Sequence, residues 1–203
     1  MRPRRHGHQV RLMLVVALVV GATLGVASSA GAKIVGQRVA GDLRQAVAFT
    51  FDDRDRLWVV EKQVGSIYVQ KLGSRQRHRF FRIPDVYGKG GQGLLGITLH
   101  PNFPDAPWVY AFATRLVGGN VVDQLVRIKS VDGKGKRMQI LQSSDAGSSH
   151  MHSGGRIMFG PDGMLYVYIG DATTAAKAQQ LRSPRGKILR LTPWGGIPDD
   201  NPI

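Results

Sequence analysis

The sequence predicts an all-β fold, a β-propeller of about three blades, on three observations. A strand–turn–strand unit recurs three times, each copy is followed by a further apolar strand, and helical periodicity is scarce after residue 33. The first copy is VAFTFDDRDRLWVVEK from Val47, the second ITLHPNFPDAPWVYAFA from Ile97, and the third RIMFGPDGMLYVYIGD from Arg156. In each, an apolar strand runs into a turn rich in Asp, Pro, Asn or Gly, and the chain leaves that turn in a strand led by Trp58, Trp108 or Tyr166. Those turn residues act through the backbone: Pro presets φ, Gly accepts positive φ, and Asp or Asn oxygens bond the N–H groups that follow.

The additional strands read GSIYV from Gly65, QLVRIKS from Gln124 and GKILRLT from Gly186. Units of this size made of several strands are propeller blades. What lies between them reads as loop. Residues 87–92 are Gly-rich, residues 146–155 are rich in Ser, Gly and His, and residues 172–185 form an insertion with one helical turn expected around 175–181. A closed propeller needs at least about four blades, so three leave two open blade faces. Such faces are expected to expose apolar side chains and to favour self-association.

Ahead of the repeats, residues 1–32 read as an export signal. Arg2, Arg4, Arg5 and Arg11 make a basic start without an acid, residues 12–27 are apolar except for Gly and Thr, and Ser29-Ala30-Gly31-Ala32 supplies small residues for cleavage after Ala32. The apolar run falls short of the ~20 residues of a stable membrane span. The expectation is a signal peptide over 1–32, a partial propeller over 33–203, and a periplasmic, envelope or extracellular location. The 203 residues include no cysteine, which excludes disulfides, thiolate metal sites and cysteine nucleophiles. The formal charge of +14 is compatible with nucleic acid binding. The charges are scattered, however, and no recognition helix or aromatic-basic module is present, so no nucleic acid partner is expected; the basic surface suits an anionic envelope or cofactor.

Three segments carry a specific resemblance. They are HSGGRIMFGPDGMLYVYIGD from His152, GQGLLGITLHPNF from Gly91, and GKILRLTPWGGIPDDNPI from Gly186. In order and spacing they resemble the glucose/sorbosone dehydrogenase family, which includes soluble quinoprotein glucose dehydrogenase and bacterial aldose sugar dehydrogenases. The resemblance implies a six-bladed propeller with pyrroloquinoline quinone (PQQ) held with calcium in a top cleft. It implies oxidation of the anomeric hydroxyl of an aldose to a lactone, with electrons passed to an external acceptor. Against that template the chain is about half length, and the expectation is an N-terminal fragment, a truncated reading frame or a degenerate copy. The later blades supply most contacts to the quinone and the calcium.

The same resemblance implies roles for four residues. His152 matches the catalytic base, a task imidazole suits because its unperturbed pKa lies near neutrality. Asp171 matches the acid that orients that histidine, by the logic of a carboxylate fixing a tautomer. Gln92 matches a glutamine or glutamate that reaches the cofactor or the histidine, displaced by one position, so such a contact and an ordinary loop glutamine stand as its two readings. Arg156 belongs to the same signature and is expected near the cofactor, in a mainly structural pairing with an acid or a carbonyl. His150 and His152 alone make no metal pair without a third ligand, and no protein metal site is expected. His100 reads as a turn residue, and Pro161-Asp162-Gly163 as a hairpin turn, since it lacks the repeated acids of a calcium loop. Two functions are therefore weighed: an exported PQQ-dependent aldose dehydrogenase, and a non-catalytic secreted propeller fragment or binding module.

Overall fold

The computed structural model describes residues 35–202, so the expected signal segment over 1–32 lies outside the described residues. Among the described residues eleven strands form three antiparallel sheets. Blade 1 is β1 (Ala46–Asp52), β2 (Arg56–Glu61), β3 (Ser66–Lys71) and β4 (Arg77–Arg82). Blade 2 is β5 (Leu94–Leu99), β6 (Trp108–Val117), β7 (Asn120–Val131) and β8 (Lys134–Asp145). Blade 3 is β9 (Gly154–Phe159), β10 (Leu165–Ile169) and β11 (Lys187–Leu191), with the single helical turn α1 (Ala175–Ala178) between β10 and β11. Each sheet is a meander in which sequential strands are neighbours. No helix among the described residues is long and apolar enough to cross a membrane.

The nine strands expected from the repeats all form. Blades 1 and 2 each add a fourth, β4 and β8, which the sequence pattern does not announce. These outer strands carry Arg77, Arg79 and Arg82, and Lys134, Lys136 and Arg137. Charge is what protects a sheet edge from further pairing, and it also erases the apolar alternation that marks a strand.

Period 2 builds the stack of blades. Along β6, Val109, Ala111 and Ala113 face blade 1, where they join Trp58, Val60, Ile67 and Val69 in one buried cluster. The alternate residues Tyr110 and Phe112 face blade 3 and pack with Ile157, Leu165, Val167 and Ile169. A strand buried on both faces reads as a continuous apolar run, which is how WVYAFA appears in the sequence. Trp58 is 1% exposed and sits edge-on to Phe80 and Phe103, with ring centroids 4.9 and 5.4 Å away. Its Nε1–H donates to Asp52 at 2.8 Å. Asp52 also accepts from Arg56 and from the backbone N–H of Arg54, tying the β1–β2 hairpin. Burial pushes this carboxyl up, but the bonds from Arg56, Trp58 and Arg54 together hold it below the usual range.

At the two ends of the stack the blades are uncovered. Val47, Phe49 and Phe51 are exposed on β1, and Met158, Tyr168 and Ile188 on blade 3, as expected for three consecutive blades.

The seam between blades 2 and 3 holds a buried acid, Asp123 of β7. It is 2% exposed, accepts a 2.6 Å bond from Thr114, and its Oδ2 has no hydrogen-bond partner among the described residues. Burial is the main cause that pushes its pKa up to about 6, against the pull of Thr114 and Arg185. The folded chain therefore holds this proton more tightly than the unfolded chain. The resulting stability is present below pH 3.8 and is lost as pH rises to about 6, a loss of about 3 kcal/mol at ~1.36 kcal/mol per pKa unit. Asp123→Asn is expected to remove this component. In urea unfolding at pH 4, 5.5 and 7, the variant should gain on the wild type by that amount as pH rises. A difference that stays constant across the three pH values would contradict the assignment.

Candidate functional site

Five connections lie at one end of the blades. The links from outer to next inner strand, 83–93 and 146–153, emerge there, and so do the second hairpin loops, 62–65, 118–119 and 170–186. This end therefore gathers every candidate residue except Arg156, which lies on β9. The loops are locked to one another through backbone. Gly91 N–H donates to the carbonyl of His150 at 2.5 Å, the Lys62 ammonium bonds the carbonyl of Gly90, and Leu94 N–H reaches the carbonyl of Lys62 at 2.9 Å.

His152 ends the 146–152 segment in an unusual conformation, with φ at 55°. That is the left-handed region, uncommon for a residue with a Cβ and most often found where surrounding structure over-determines it. Here the constraint is visible. The His152 carbonyl accepts the N–H of Ala172 at 3.2 Å, and the Ser153 carbonyl accepts that of Gly170 at 3.1 Å. A Cβ on Gly170 would overlap the His152 carbonyl oxygen, so only glycine allows these two chain segments to lie together.

The His152 side chain is 63% exposed, and its Nδ1 lies 3.2 Å from Oδ1 of Asp171. The same Asp171 oxygen accepts the N–H of Thr173 at 2.9 Å. The Thr173 N–H bond is the largest single cause and, with His152, outweighs the slight desolvation, holding the Asp171 carboxyl below its ordinary value. An ionised carboxylate has no proton to give, so Nδ1 of a neutral His152 carries the proton and Nε2 presents its lone pair to solvent. Asp171, expected as the orienting acid, lies within hydrogen-bond distance of that nitrogen.

Gln92 is placed differently from its cofactor-reaching reading. It has 0% exposure. Its Nε2 points to the carbonyls of Ala146 and Ser149 at 3.5 and 3.4 Å, and its Oε1 accepts from His150 Nδ1 at 3.0 Å. A buried amide with both ends spent on the neighbouring loop holds that loop and presents nothing to solvent. The loop-glutamine reading describes it, and the loop it holds is the one that carries His152. The His150 ring, 5.7 Å from that of Tyr87, packs into this support and stands on a different partner from His152. Arg156 lies on the exposed face of β9, beside Met158, and makes no side-chain hydrogen bond or ion pair among the described residues. The expected pairing with an acid or carbonyl does not form, because its face of the sheet is the one no further blade covers. Among the described residues no group of three or more His, Asp or Glu side chains gathers as a metal site. His100 accepts the N–H of Asn102 through Nδ1, as a turn residue does.

Sequence reading missed the support of the site. Thr173, whose N–H fixes Asp171, and Lys62, which staples the Gly90 backbone, carry no motif; their roles arise from loops adjacent only in the fold.

Comparisons with known proteins bear on the family and the fold. The family profile for glucose/sorbosone dehydrogenase matches residues 43–203. Quinoprotein glucose dehydrogenase B of Acinetobacter calcoaceticus is 27% identical over 194 residues, covering 81% of this chain and 40% of that protein. Among solved structures, an oxidoreductase (glucose dehydrogenase) of Thermus thermophilus is 38% identical with a TM-score of 0.76, covering 82% of this chain and 49% of that one. The PQQ-bound aldose sugar dehydrogenase of Streptomyces coelicolor is 27% identical with a TM-score of 0.75, over 82% of this chain and 50% of that one. The chain spans half or less of the length of these relatives. With three antiparallel blades and a profile match over most of its length, the chain belongs to the glucose/sorbosone dehydrogenase family.

Proposed function

We propose that this chain supplies the base-bearing part of an exported PQQ-dependent aldose dehydrogenase, which oxidises the anomeric hydroxyl to a lactone and passes electrons to an external acceptor. The observation that carries the reading is the exposed imidazole of His152, with Nδ1 committed to Asp171 and Nε2 free. When bound, the quinone supplies the hydride acceptor. The residues present fit one side of such a group. PQQ is a planar polycarboxylate, and the exposed guanidinium of Arg156 on β9, unpaired among the described residues, has the charge to meet it. No cluster of acids among the described residues fits calcium, and no step is assigned to that ion.

His152 Nε2 takes the proton of the anomeric hydroxyl as the hydride leaves the same carbon. Asp171 holds the Nδ1 proton and stabilises the imidazolium that forms, being ionised already at neutral pH. The left-handed backbone at His152 keeps the ring at the loop surface, so the base meets substrate without a rearrangement of its own. Self-association through the uncovered faces of β1 and blade 3, with their exposed Phe49, Phe51, Met158 and Ile188, belongs to the same proposal, as does export through residues 1–32. The other function weighed, a non-catalytic binding module, has the buried Gln92, which presents nothing to solvent, in its favour.

The test is thermal melting of the chain with and without PQQ and calcium, alongside aldose-dependent dye reduction. A melting point raised by PQQ, together with dye reduction, supports the dehydrogenase. Melting indifferent to PQQ and no dye reduction would leave the binding module as the better reading.

A further inference from the structure

We propose that Arg185 is a positioning residue for the His152 loop, acting with buried Asp123 as a charged bracket across the seam of blades 2 and 3. The proposal rests on the reading of His152 as the base.

Arg185 closes the insertion that follows Asp171 and directly precedes Gly186 and β11. Most of that insertion is exposed, yet the Arg185 side chain is only 5% exposed. A guanidinium is costly to bury, so what it meets inside indicates what it does. Its Nη2 bonds the carbonyl of Asp145, the last residue of β8, at the point where the chain leaves the sheet for the histidine loop. The same nitrogen lies 3.5 Å from the Asp145 carboxylate. Two residues on, Gly147 takes a φ of 72° and passes so close that a Cβ there would sit 3.1 Å from Nη2 and 3.1 Å from the Ala172 side chain. The loop backbone is thus moulded between Arg185 and the residue that follows Asp171.

On the inner side of the seam stands Asp123. Its Oδ2 and the Nη1 of Arg185 are both buried and lack a hydrogen-bond partner among the described residues, and their charges attract. The other groups facing Asp123 are the Thr114 hydroxyl of β6 and the Asp145 carboxylate, itself largely exposed. Asp123 therefore offsets the burial of Arg185 from below, while Asp145 is gripped from above. With Gln92 holding the middle of the loop at Ala146, Ser149 and His150, the segment from Asp145 to His152 is fixed at its start, middle and end. Arg185 fixes the start, and it reaches both the base loop and the Asp171 loop.

The experiment uses the full chain, labelled with nitrogen-15. It reads amide hydrogen exchange together with long-range proton–nitrogen spectra of the histidine rings, which distinguish Nδ1–H from Nε2–H. Neither readout needs cofactor or turnover. In Arg185→Gln, exchange of the amides that tie the loop, Ala146 to Val121, Gly91 to His150 and Ala172 to His152, is expected to accelerate at least roughly tenfold while β6 and β10 stay within about twofold. The His152 ring should move from a single Nδ1–H pattern towards an average of both tautomers. Arg185→Lys keeps the charge without the fork, and should give an intermediate, roughly threefold acceleration. Wild-type exchange and ring pattern in both variants would overturn the proposal. So would acceleration spread equally over β6 and β10, which would make Arg185 a seam residue only. Asp171→Asn is the control that removes the direct partner. If it leaves the His152 pattern unchanged, the pairing falls, the base reading falls with it, and so does the proposal.

Discussion

Replacing His152 by alanine is expected to lower kcat for aldose-dependent dye reduction by roughly 10²–10⁴-fold, the span a positioned general base contributes. The geometry says why the loss belongs to kcat. The ring is 63% exposed, holds no part of the core, and is tied by a single 3.2 Å contact to Asp171, so its removal leaves the blades as they were. On the proposed function, a rise in melting point brought by PQQ is expected to persist in the variant, because the ring holds no part of the fold. Asp171→Asn tests the orienting role separately. Its amide can donate to Nδ1, which favours the tautomer with the proton on Nε2, and the lone pair needed at that nitrogen is then lost. A fall in kcat with KM little changed is expected there too. His152→Ala retaining more than about a tenth of wild-type kcat would remove the residue from the role of base.

The second large effect concerns stability. Gly96→Ala is expected to destabilise the fold by about 3 kcal/mol, at the upper end of what inserting one methyl into a packed core costs. Gly96 lies on β5, the inner strand of blade 2, where it meets Gly155 on β9, the inner strand of blade 3. A Cβ on Gly96 would overlap the Gly155 carbonyl oxygen and come within 3.2 Å of Ile157. A Cβ on Gly155 would meet Leu95 at 2.5 Å and Phe112 at 3.0 Å, from a backbone already at a φ of 92°. The obstacle is backbone on a paired strand, so it cannot swing aside as a side-chain tip would. The two inner strands would have to part, opening the cluster of Tyr110, Phe112, Ile157 and Val167. Gly36→Ala is the control, because nothing lies within 4 Å of that position. Urea midpoints for the two variants and the wild type give the comparison. A shift for Gly96→Ala no larger than that for Gly36→Ala would mean that the blades do not depend on this approach.

The sequence by itself determined the repeat. Alternation of apolar residues in WVYAFA, LWVV and LYVYI, bounded by Asp, Pro and Gly turns, is local information, and strands with their hairpins follow from it. The pairing of His152 with Asp171 was legible through family resemblance, because the fixed spacing carries one residue to the start of an inner strand and the other to the end of its neighbour. The outer strands β4 and β8 were not legible. Their arginines and lysines answer to solvent at a sheet edge, and a charged edge strand has no apolar period to read. Nor were the positions of Gln92 and Arg156. Whether a polar side chain is buried against a loop or left on an open face depends on which segments arrive beside it, and those segments lie 54 or more residues from Gln92. Only the tertiary structure decided that Gln92 holds the loop, that Arg156 stands unpaired, and that Asp123 and Arg185 face each other across a seam. Burial and electric field at a point are summed over neighbours in space, and the order of residues along the chain does not contain that sum.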